Sequence, residues 1–191
     1  MIIRHATPDD GSGCLEIYAP FVLDTAVSFE HDPPSLVEFQ GRIDQINRTH
    51  AFLVAETAGE IAGFAYGGPH RARAGYMWSA EVSVYVAAPH RGRGLGGALY
   101  TALFALLEQQ GYRTLLAGIT VPNEASVGLH RSLGFEKVGI FRGVGWKAGA
   151  WQDVLWMSKP LVPPATDGSV PAAPGEPVRL QSPVPVARHE R

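Results

Sequence analysis

The chain has 191 residues, a hydrophobic share of 46% and a formal net charge of −2. This length suits one domain with or without a tail, and the apolar share is enough for a core of ordinary size. A charge so close to neutral argues against nucleic acid as a partner, because binding it usually requires a basic face.

The N-terminal residues carry no apolar run of signal-peptide length. No stretch of the chain approaches the ~20 apolar residues that span a bilayer. The single cysteine, Cys14, excludes an intrachain disulfide and is expected to be a buried apolar residue. We therefore expect a cytoplasmic protein that does not bind membranes.

Strand-like and helix-like patterns alternate along the first 159 residues. The predicted strands cover residues 1–4, 51–56, 61–66, 79–86, 114–121, 135–141 and 153–158, and the predicted helices cover residues 7–18, 35–47, 95–110 and 124–133. An antiparallel meander is thus followed by two strand–helix units and a closing strand. This order predicts an α/β fold, with a central mixed sheet flanked by helices.

The composition changes at residues 159–160. From residue 160 to residue 191, prolines and small or polar residues dominate, and neither helical nor strand periodicity is visible. Such a segment carries too few apolar side chains to form a core of its own. We predict a folded domain of residues 1–159 and a proline-rich, disordered tail of residues 160–191.

The most informative segment is the glycine-rich loop that joins the strand of residues 79–86 to the helix beginning near Leu95. Glycines at positions 92, 94, 96 and 97 allow the backbone to approach a ligand closely. The N–H groups and the dipole at a helix start favour an anion, and Arg91 and Arg93 add positive charge. The loop therefore predicts a cradle for a phosphate or pyrophosphate group.

Three phosphate-binding patterns compete for this loop. The P-loop requires Gly-Lys-Ser/Thr, which the sequence lacks. The dinucleotide pattern G-x-G-x-x-G matches residues 92–97, but residues 87–91 separate the strand from the first glycine and no acid ends the strand of residues 114–121. The pattern Gln/Arg-x-x-Gly-x-Gly/Ala is filled by Arg91, Gly94 and Gly96. It resembles the coenzyme A pyrophosphate loop of the GNAT-type N-acetyltransferase superfamily.

The resemblance covers nearly all of residues 1–158. Residues 3–10 are similar to the opening strand and first helix of the superfamily, and residues 123–126 and 133–135 are similar to a later helix and the strand after it. Residues 66–86, 129–130 and 145–153 resemble the phosphinothricin and methionine sulfoximine acetyltransferases in particular. This implies a GNAT-like fold, acetyl-coenzyme A as co-substrate without a metal, a small amine with an acidic group as acceptor, and a homodimer.

Acetylation of an amine requires a base, because an alkylammonium group is protonated at neutral pH. Alternation along the strand places Glu81 on the face opposite Val82, Val84 and Val86. The resemblance assigns Glu81 to the acceptor amine, either directly or through water. His130 stands where many superfamily members have a tyrosine that protonates the leaving thiolate. We expect His130 to bind the coenzyme or donate that proton, unless it is a surface histidine of its helix.

The resemblance also implies two sets of binding residues. The coenzyme would be bound by Val84, Tyr85, Val86, Arg91, Gly92, Arg93, Gly94, Leu95, Gly96, Gly97, Asn123, Ser126 and His130. The acceptor would be bound by Phe29, Arg71, Arg73, Tyr76 and Glu81. A guanidinium group suits the acceptor's anionic group, and Arg73 is favoured over Arg71, although both could belong to a solvated loop. Asn123 could also cap the helix that follows it.

Other functions remain open at this stage. The acceptor could be a different small amine. The chain could also be a coenzyme A-binding sensor without catalysis, but this alternative does not explain the carboxylate at position 81.

Overall fold

The computed structural model of the chain describes residues 1–163 and 168–186. In these ranges it contains one eight-stranded sheet and four α-helices. The strands are β1 (Ile2–His5), β2 (Phe52–Thr57), β3 (Glu60–Pro69), β4 (Ser79–Val86), β5 (Thr114–Val121), β6 (Glu136–Lys147), β7 (Ala150–Pro160) and β8 (Val184–Pro185). The helices are α1 (Gly11–Leu23), α2 (Leu36–Asn47), α3 (Leu95–Gln110) and α4 (Glu124–Ser132). The predicted α/β class is confirmed.

The strand order is β6-β7-β5-β4-β3-β2-β1-β8. Among these described strands, all neighbours are antiparallel except β4 and β5. The parallel pairing is short, because it joins only residues 79–81 to residues 114–116. Beyond Glu81 and Leu116 the two strands are no longer paired, which opens the middle of the sheet.

Two apolar layers cover the sheet. On one face, α3 buries Leu99, Leu103 and Leu107 against the sheet, and Val127 of α4 belongs to the same cluster. On the other face, α1 and α2 bury residues such as Ile17, Val22, Phe39 and Ile43. None of the helices in the described ranges is both long and apolar enough to cross a bilayer.

Several elements extend beyond their predicted ends. Helix α1 continues past Pro20 to Leu23, and its last turn buries Val22 completely. Proline removes only one helical N–H, so packing of this turn can outweigh the loss. Strand β6 continues to Lys147 through an irregular register between Phe141 and Gly145, where it pairs with β7. Local pattern cannot reveal either extension, because a neighbouring element stabilises it.

The predicted disordered tail differs from what the structure shows for residues 168–186. Strand β8 pairs with Ile2 and Ile3 of β1, so it covers an edge of the sheet. The Leu180 N–H donates to Nε2 of His5, and burial together with the nearby Arg179 lowers the pKa of His5 to about 4, which keeps that nitrogen an acceptor. Further hydrogen bonds join the tail to Asn47, Trp78 and Gln110. Residues 164–167 and 187–191, which the tail prediction also covers, lie outside the described residues.

The tail is ordered because it pairs with strand β1, and its own composition cannot reveal this contact. Strand β1 would otherwise present unpaired backbone groups at the sheet edge, and residues 184–186 pair with them. Val178, Leu180 and Val186 also pack against the main core. These contacts stabilise an arrangement that the tail could not form alone.

Deleting residues 165–191 should lower the melting temperature but change kcat/KM only a few-fold. The deletion exposes an edge strand and part of the core, and three strands (β3, β2 and β1) separate β8 from β4 and the opening. Among the described residues, the tail approaches the glycine loop only where Leu180 and residues 184–186 share a pocket with Arg93 and Gly94, so a few-fold change is the upper expectation. A net loss of about 2 kcal/mol would lower Tm by roughly 4–8 °C. Deleting residues 187–191 alone is the matched control, because it keeps every tail contact named above. An unchanged Tm in the longer deletion would show that these contacts contribute no stability.

Candidate active site

The parting of β4 and β5 forms a cleft of about 840 Å³. Its walls come from β4, from the end of β5, from the glycine loop and from the start of α4. The lining includes Val84, Val86, Gly94, Gly96, Thr120, Asn123 and Ser126. A narrow space of about 70 Å³ lies between the two strands, lined by residues such as Val82, Ser83, Tyr100, Ala117 and His130. The cleft and the narrow space share the lining residues Val84, Thr120, Asn123 and Ser126, so they adjoin each other.

The glycine loop forms one end of this cleft. Gly92 and Gly94 have φ angles of 70° and 78°, in the left-handed region, and Gly94 caps the start of α3. The first N–H groups of a helix have no partner within it, so this turn presents donors to the cleft. Arg91 Nε donates to the Val86 carbonyl at 3.0 Å, and its guanidinium group lies 4.8 Å from the centre of the Phe21 ring. The cradle for an anion is thus built largely from backbone.

Space at the loop is tight on the side facing α4. A Cβ atom at Gly96 would lie 3.2 Å from Leu129 Cδ2, with Val84 and Val86 also within van der Waals contact. At Gly94 the surroundings are open, but the left-handed φ disfavours a side chain there. The two glycines are therefore required for different reasons.

We predict that Gly94→Val and Gly96→Val each raise the dissociation constant of coenzyme A by more than about tenfold, equivalent to ~1.4 kcal/mol. The first strains the loop backbone, and the second brings a side chain against Leu129 and the cleft. Isothermal titration calorimetry measures the effect. Gly41→Ala on α2, where an added Cβ meets nothing within 4 Å, is the control. Wild-type affinity in either folded loop variant would exclude this loop as the coenzyme site.

Glu81 lies at the point where β4 leaves β5, because Glu81–Leu116 is the last pair of the parallel ladder. Its carboxylate accepts a hydrogen bond from His70 Nδ1 at 2.7 Å. The side chain of Glu81 is 40% exposed. No hydrogen bond to its second oxygen is found among the described residues, so this oxygen can receive a proton from a ligand.

The predicted alternation along β4 matches the packing. Val82 is buried in the α3 layer, and Val84 and Val86 pack against it. On the other face, Tyr85 contacts Tyr18, Phe21 and Phe64, with ring centroids 5.1–5.2 Å apart. Burial raises the pKa of Tyr85 well above its ordinary value, so its hydroxyl stays neutral. Of the residues predicted to bind the coenzyme, Tyr85 thus has its side chain committed to the core.

His130 is not a surface histidine. It is 3% exposed, and its Nδ1 donates to the Ser126 carbonyl at 2.8 Å. Nε2 is then an acceptor and lies 3.3 Å from the Tyr100 hydroxyl. Burial lowers the pKa of His130. The ring is therefore neutral at pH 7 and, in this arrangement, has no proton on Nε2.

Asn123 and Ser126 lie side by side at the start of α4. Asn123 Oδ1 accepts the Ser126 N–H at 3.1 Å, so Asn123 does cap the helix. The cap uses only the amide oxygen and leaves the side-chain NH₂ group for other bonds. Both residues line the cleft and the narrow space. Capping and ligand binding are therefore compatible.

The residues predicted to bind the acceptor divide into two groups. Arg71, Arg73 and Tyr76 are exposed on the loop between β3 and β4, and the Arg71 guanidinium lies 5.9 Å from the centre of the Tyr76 ring. His70 connects this loop to Glu81, since its ring contacts Tyr76 at 5.4 Å. Phe29 lies on a separate loop, where its ring covers Gly145 of β6. The structure thus links Arg71 and Tyr76 to Glu81 through His70, leaves Arg73 exposed on the same loop, and places Phe29 against β6.

Two residues of the site are not identified by the sequence analysis. No sequence neighbour of His70 indicates a chemical role for it, and Tyr100 is one position among many in the largely apolar helix α3. The register of the β3–β4 hairpin, which pairs Pro69 with Ala80, was the signal that could have placed His70 beside Glu81. Nothing local indicates Tyr100, because its partner His130 is 30 residues away. In the described part of the chain, no group of three His, Cys, Asp or Glu side chains is placed to hold a metal ion.

Comparison with known proteins identifies the family of the chain. The acetyltransferase (GNAT) domain model matches residues 3–156. A phosphinothricin N-acetyltransferase of Streptomyces viridochromogenes is 37% identical over 163 residues, which cover 85% of this chain and 89% of the relative. An L-methionine sulfoximine/L-methionine sulfone acetyltransferase of Pseudomonas aeruginosa is 39% identical, over 84% of this chain and 95% of the relative.

Solved structures share the fold. The crystal structure of a GNAT superfamily phosphinothricin acetyltransferase from Sinorhizobium meliloti, in complex with AcCoA, superposes with a TM-score of 0.80 and 33% identity. The match covers 86% of this chain and 93% of that one. The chain belongs to the GNAT acetyltransferase family.

Proposed function

We propose that this chain is an N-acetyltransferase that transfers the acetyl group of acetyl-CoA to the primary amine of a small amino-acid-like substrate. One observation carries the proposal: the partly exposed carboxylate of Glu81 lies at the last pair of the β4–β5 ladder, and the same strand continues to Val84 and Val86, which line a cleft that also contains the glycine loop. The arrangement suits a long, anionic acyl donor that must meet an amine beside a base. Names of the relatives favour phosphinothricin or methionine sulfoximine as acceptor.

The cleft fits acetyl-CoA in shape and chemistry. The pyrophosphate would accept hydrogen bonds from the backbone of residues 91–97, with Arg91, which lines the cleft, adding positive charge. Arg93, also expected to bind the coenzyme, lines a separate pocket with Ala98, Thr101 and Leu180. The pantetheine arm would lie along β4, whose backbone groups beyond Glu81 are not paired to β5. Unpaired strand groups require partners, and an amide-containing arm supplies them. Asn123 and Ser126 would contact the same arm from α4.

Acetyl transfer then follows from the placement of Glu81. The carboxylate accepts the proton of the acceptor ammonium, directly or through water, and leaves a neutral amine. The amine nitrogen attacks the thioester carbonyl carbon, and the C–S bond breaks. A backbone N–H of residues 84–86 would stabilise the negative charge that develops on the carbonyl oxygen. The attacking nitrogen then loses its remaining extra proton and the released thiolate takes one up, so that an amide and a free thiol are formed.

The Tyr100–His130 pair would act at the thiolate end of the reaction. A neutral His130 with Nδ1–H bonded to Ser126 fixes the Tyr100 hydroxyl from the opposite side of the narrow space. Burial raises the pKa of Tyr100, so its hydroxyl stays neutral and donates its single hydrogen to Nε2 of His130. We assign His130 to holding this hydroxyl, whose hydrogen must turn from Nε2 toward the thiolate to stabilise it; this replaces the direct proton donation by His130 expected from sequence.

The loop after β3 would bind the acceptor's anionic group. Arg73 is exposed, and no hydrogen bond or ion pair from its guanidinium group is found in the described ranges. Arg71 instead contacts the Tyr76 ring and approaches His70. Arg73 is therefore the better candidate for a bidentate bond to a carboxylate or phosphinate. Phe29 and Tyr76 would supply apolar walls.

Glu81→Gln should lower kcat at neutral pH by ~10²-fold, the low end for general-base catalysis. The substitution keeps the size and a hydrogen-bonding oxygen but removes the base. The loss should shrink at high pH, where more of the amine is already neutral. Steady-state kinetics from pH 6.5 to about 9.5 measure it, with coenzyme A affinity as the control for an intact cleft. Wild-type kcat across this range would rule out Glu81 as the base.

Arg73→Ala should raise KM for acceptors that carry an acidic group and leave kcat nearly unchanged. Loss of a contact made equally in the ground state and the transition state has this signature. The matched comparison is an acceptor pair, an amino acid and the corresponding amine without the carboxylate, since only the first should be affected. Arg71→Ala tests the neighbouring arginine. Equal effects on both acceptors would contradict the assignment.

The acceptor itself is identified by release of free thiol from acetyl-CoA across a panel of amines. Phosphinothricin and methionine sulfoximine head the panel, followed by ordinary amino acids and simple amines. If only simple amines were acetylated, the acceptor would be another small amine rather than an amino-acid-like one. Tight coenzyme binding with no turnover of any amine would favour a sensor.

A cytoplasmic homodimer completes the proposal. The outer hairpin of β6 and β7 exposes a group of apolar side chains: Val138, Phe141, Val144, Trp146 and Trp151. Trp151 is 66% exposed and lies 5.4 Å from Trp146, ring to ring. A patch of this kind usually marks an interaction surface. Light scattering at micromolar concentration should give a dimer mass and a monomer mass for Trp151→Asp. A monomeric wild type would refute the dimer.

A further inference from the structure

We propose that His70 is the positioning residue for Glu81, fixing one carboxylate oxygen so that the other meets the acceptor amine. The inference rests on the proposed role of Glu81 as base. His70 immediately follows β3, and the β3–β4 register places Gly68 opposite Glu81. The imidazole reaches back along the strand, and its Nδ1 lies 2.7 Å from Glu81 Oε1.

The protonation state of the ring follows from its neighbours. Arg71 Nε is a donor and lies 3.4 Å from His70 Nε2, so Nε2 is the side of the ring that accepts. The hydrogen of a neutral imidazole then lies on Nδ1 and points at Glu81. The titratable groups that face this ring in the described structure are Glu81 on β4, Arg71 on the same loop and Tyr76 on the following turn.

Packing prevents the imidazole from turning away. Its ring meets Tyr76 edge to face at 5.4 Å and Trp156 of β7 at 5.7 Å. The side chain of His70 is only 14% exposed, whereas that of Glu81 is 40% exposed. A fixed donor thus holds a more mobile carboxylate. An unheld glutamate side chain samples several rotamers, and only some of them present an oxygen to the amine.

His70 also joins two parts of the site. It connects the carboxylate on β4 to the loop that carries Arg71, Arg73 and Tyr76. His70 therefore couples the position of the carboxylate to that of the loop, in addition to the backbone pairing of β3 with β4. An acceptor whose amine and anionic group match the distance between the carboxylate and the loop would be favoured over others.

The test compares three substitutions at this position. Asparagine places its amide nitrogen near the position of Nδ1, glutamine places its amide nitrogen nearer Nε2, and phenylalanine keeps the ring contacts but has no donor. We expect kcat to fall roughly tenfold in His70→Phe and His70→Gln and to recover largely in His70→Asn. The dissociation constant of coenzyme A should stay unchanged in all three. His31→Asn, at an exposed position, is the control for loss of a histidine.

One further measurement separates positioning from a general structural role. In a Glu81→Gln background, His70→Phe should have no further effect, because there is no base left to position. A merely structural role would lower the rate in both backgrounds by the same factor.

The outcomes distinguish the two proposals. Full kcat in Glu81→Gln would overturn the proposed base, and the role of His70 with it. A slow Glu81→Gln variant together with a wild-type rate in His70→Phe would overturn the positioning role alone. Equal losses of kcat in His70→Asn and His70→Phe would also overturn the positioning role, because the hydrogen-bond donor would then make no difference to the rate.

Discussion

The short parallel ladder between β4 and β5 is the constraint on which the rest of the site depends. The two strands are paired for only three residues on each side, and β4 remains fully paired to β3 along its other edge. The part of β4 beyond Glu81 is therefore held in position by β3. Its backbone groups on the side of β5 are unpaired and face the opening between the two strands. A sheet rarely leaves such groups unpaired unless something else bonds to them. The glycine loop, α4 and the Tyr100–His130 pair all border this one opening.

Glu81 lies where β4 parts from β5, and this placement explains how the same strand supports both coenzyme binding and chemistry. A carboxylate at position 80 or 82 would enter the apolar α3 layer, where Ala80 and Val82 are buried. At position 81 the group is half exposed, so it stays accessible to an amine, and its hydrogen bond to His70 limits its motion. Burial governs the opposite end of the site, where it keeps His130 and Tyr100 neutral.

The two outer edges of the sheet differ in how far other parts of the chain cover them. Strand β8 and the packing of Val178 and Leu180 cover the β1 edge. The β6–β7 hairpin at the opposite end leaves Trp146 and Trp151 exposed. An edge closed by the chain itself offers no surface for strand pairing, whereas exposed aromatic rings favour association with another surface.

The sequence by itself determined the local features. Two-residue alternation identified the face of β4 that carries Glu81, and glycines before an apolar helix identified the anion cradle, because both depend on neighbours a few residues away. The motifs around that loop also identified the family. The tertiary structure alone decided the contacts between distant residues: His70 with Glu81, Tyr100 with His130, and the tail with β1. Each requires a strand register or a docking surface that brings separate segments together, and no local pattern of residue types encodes that proximity.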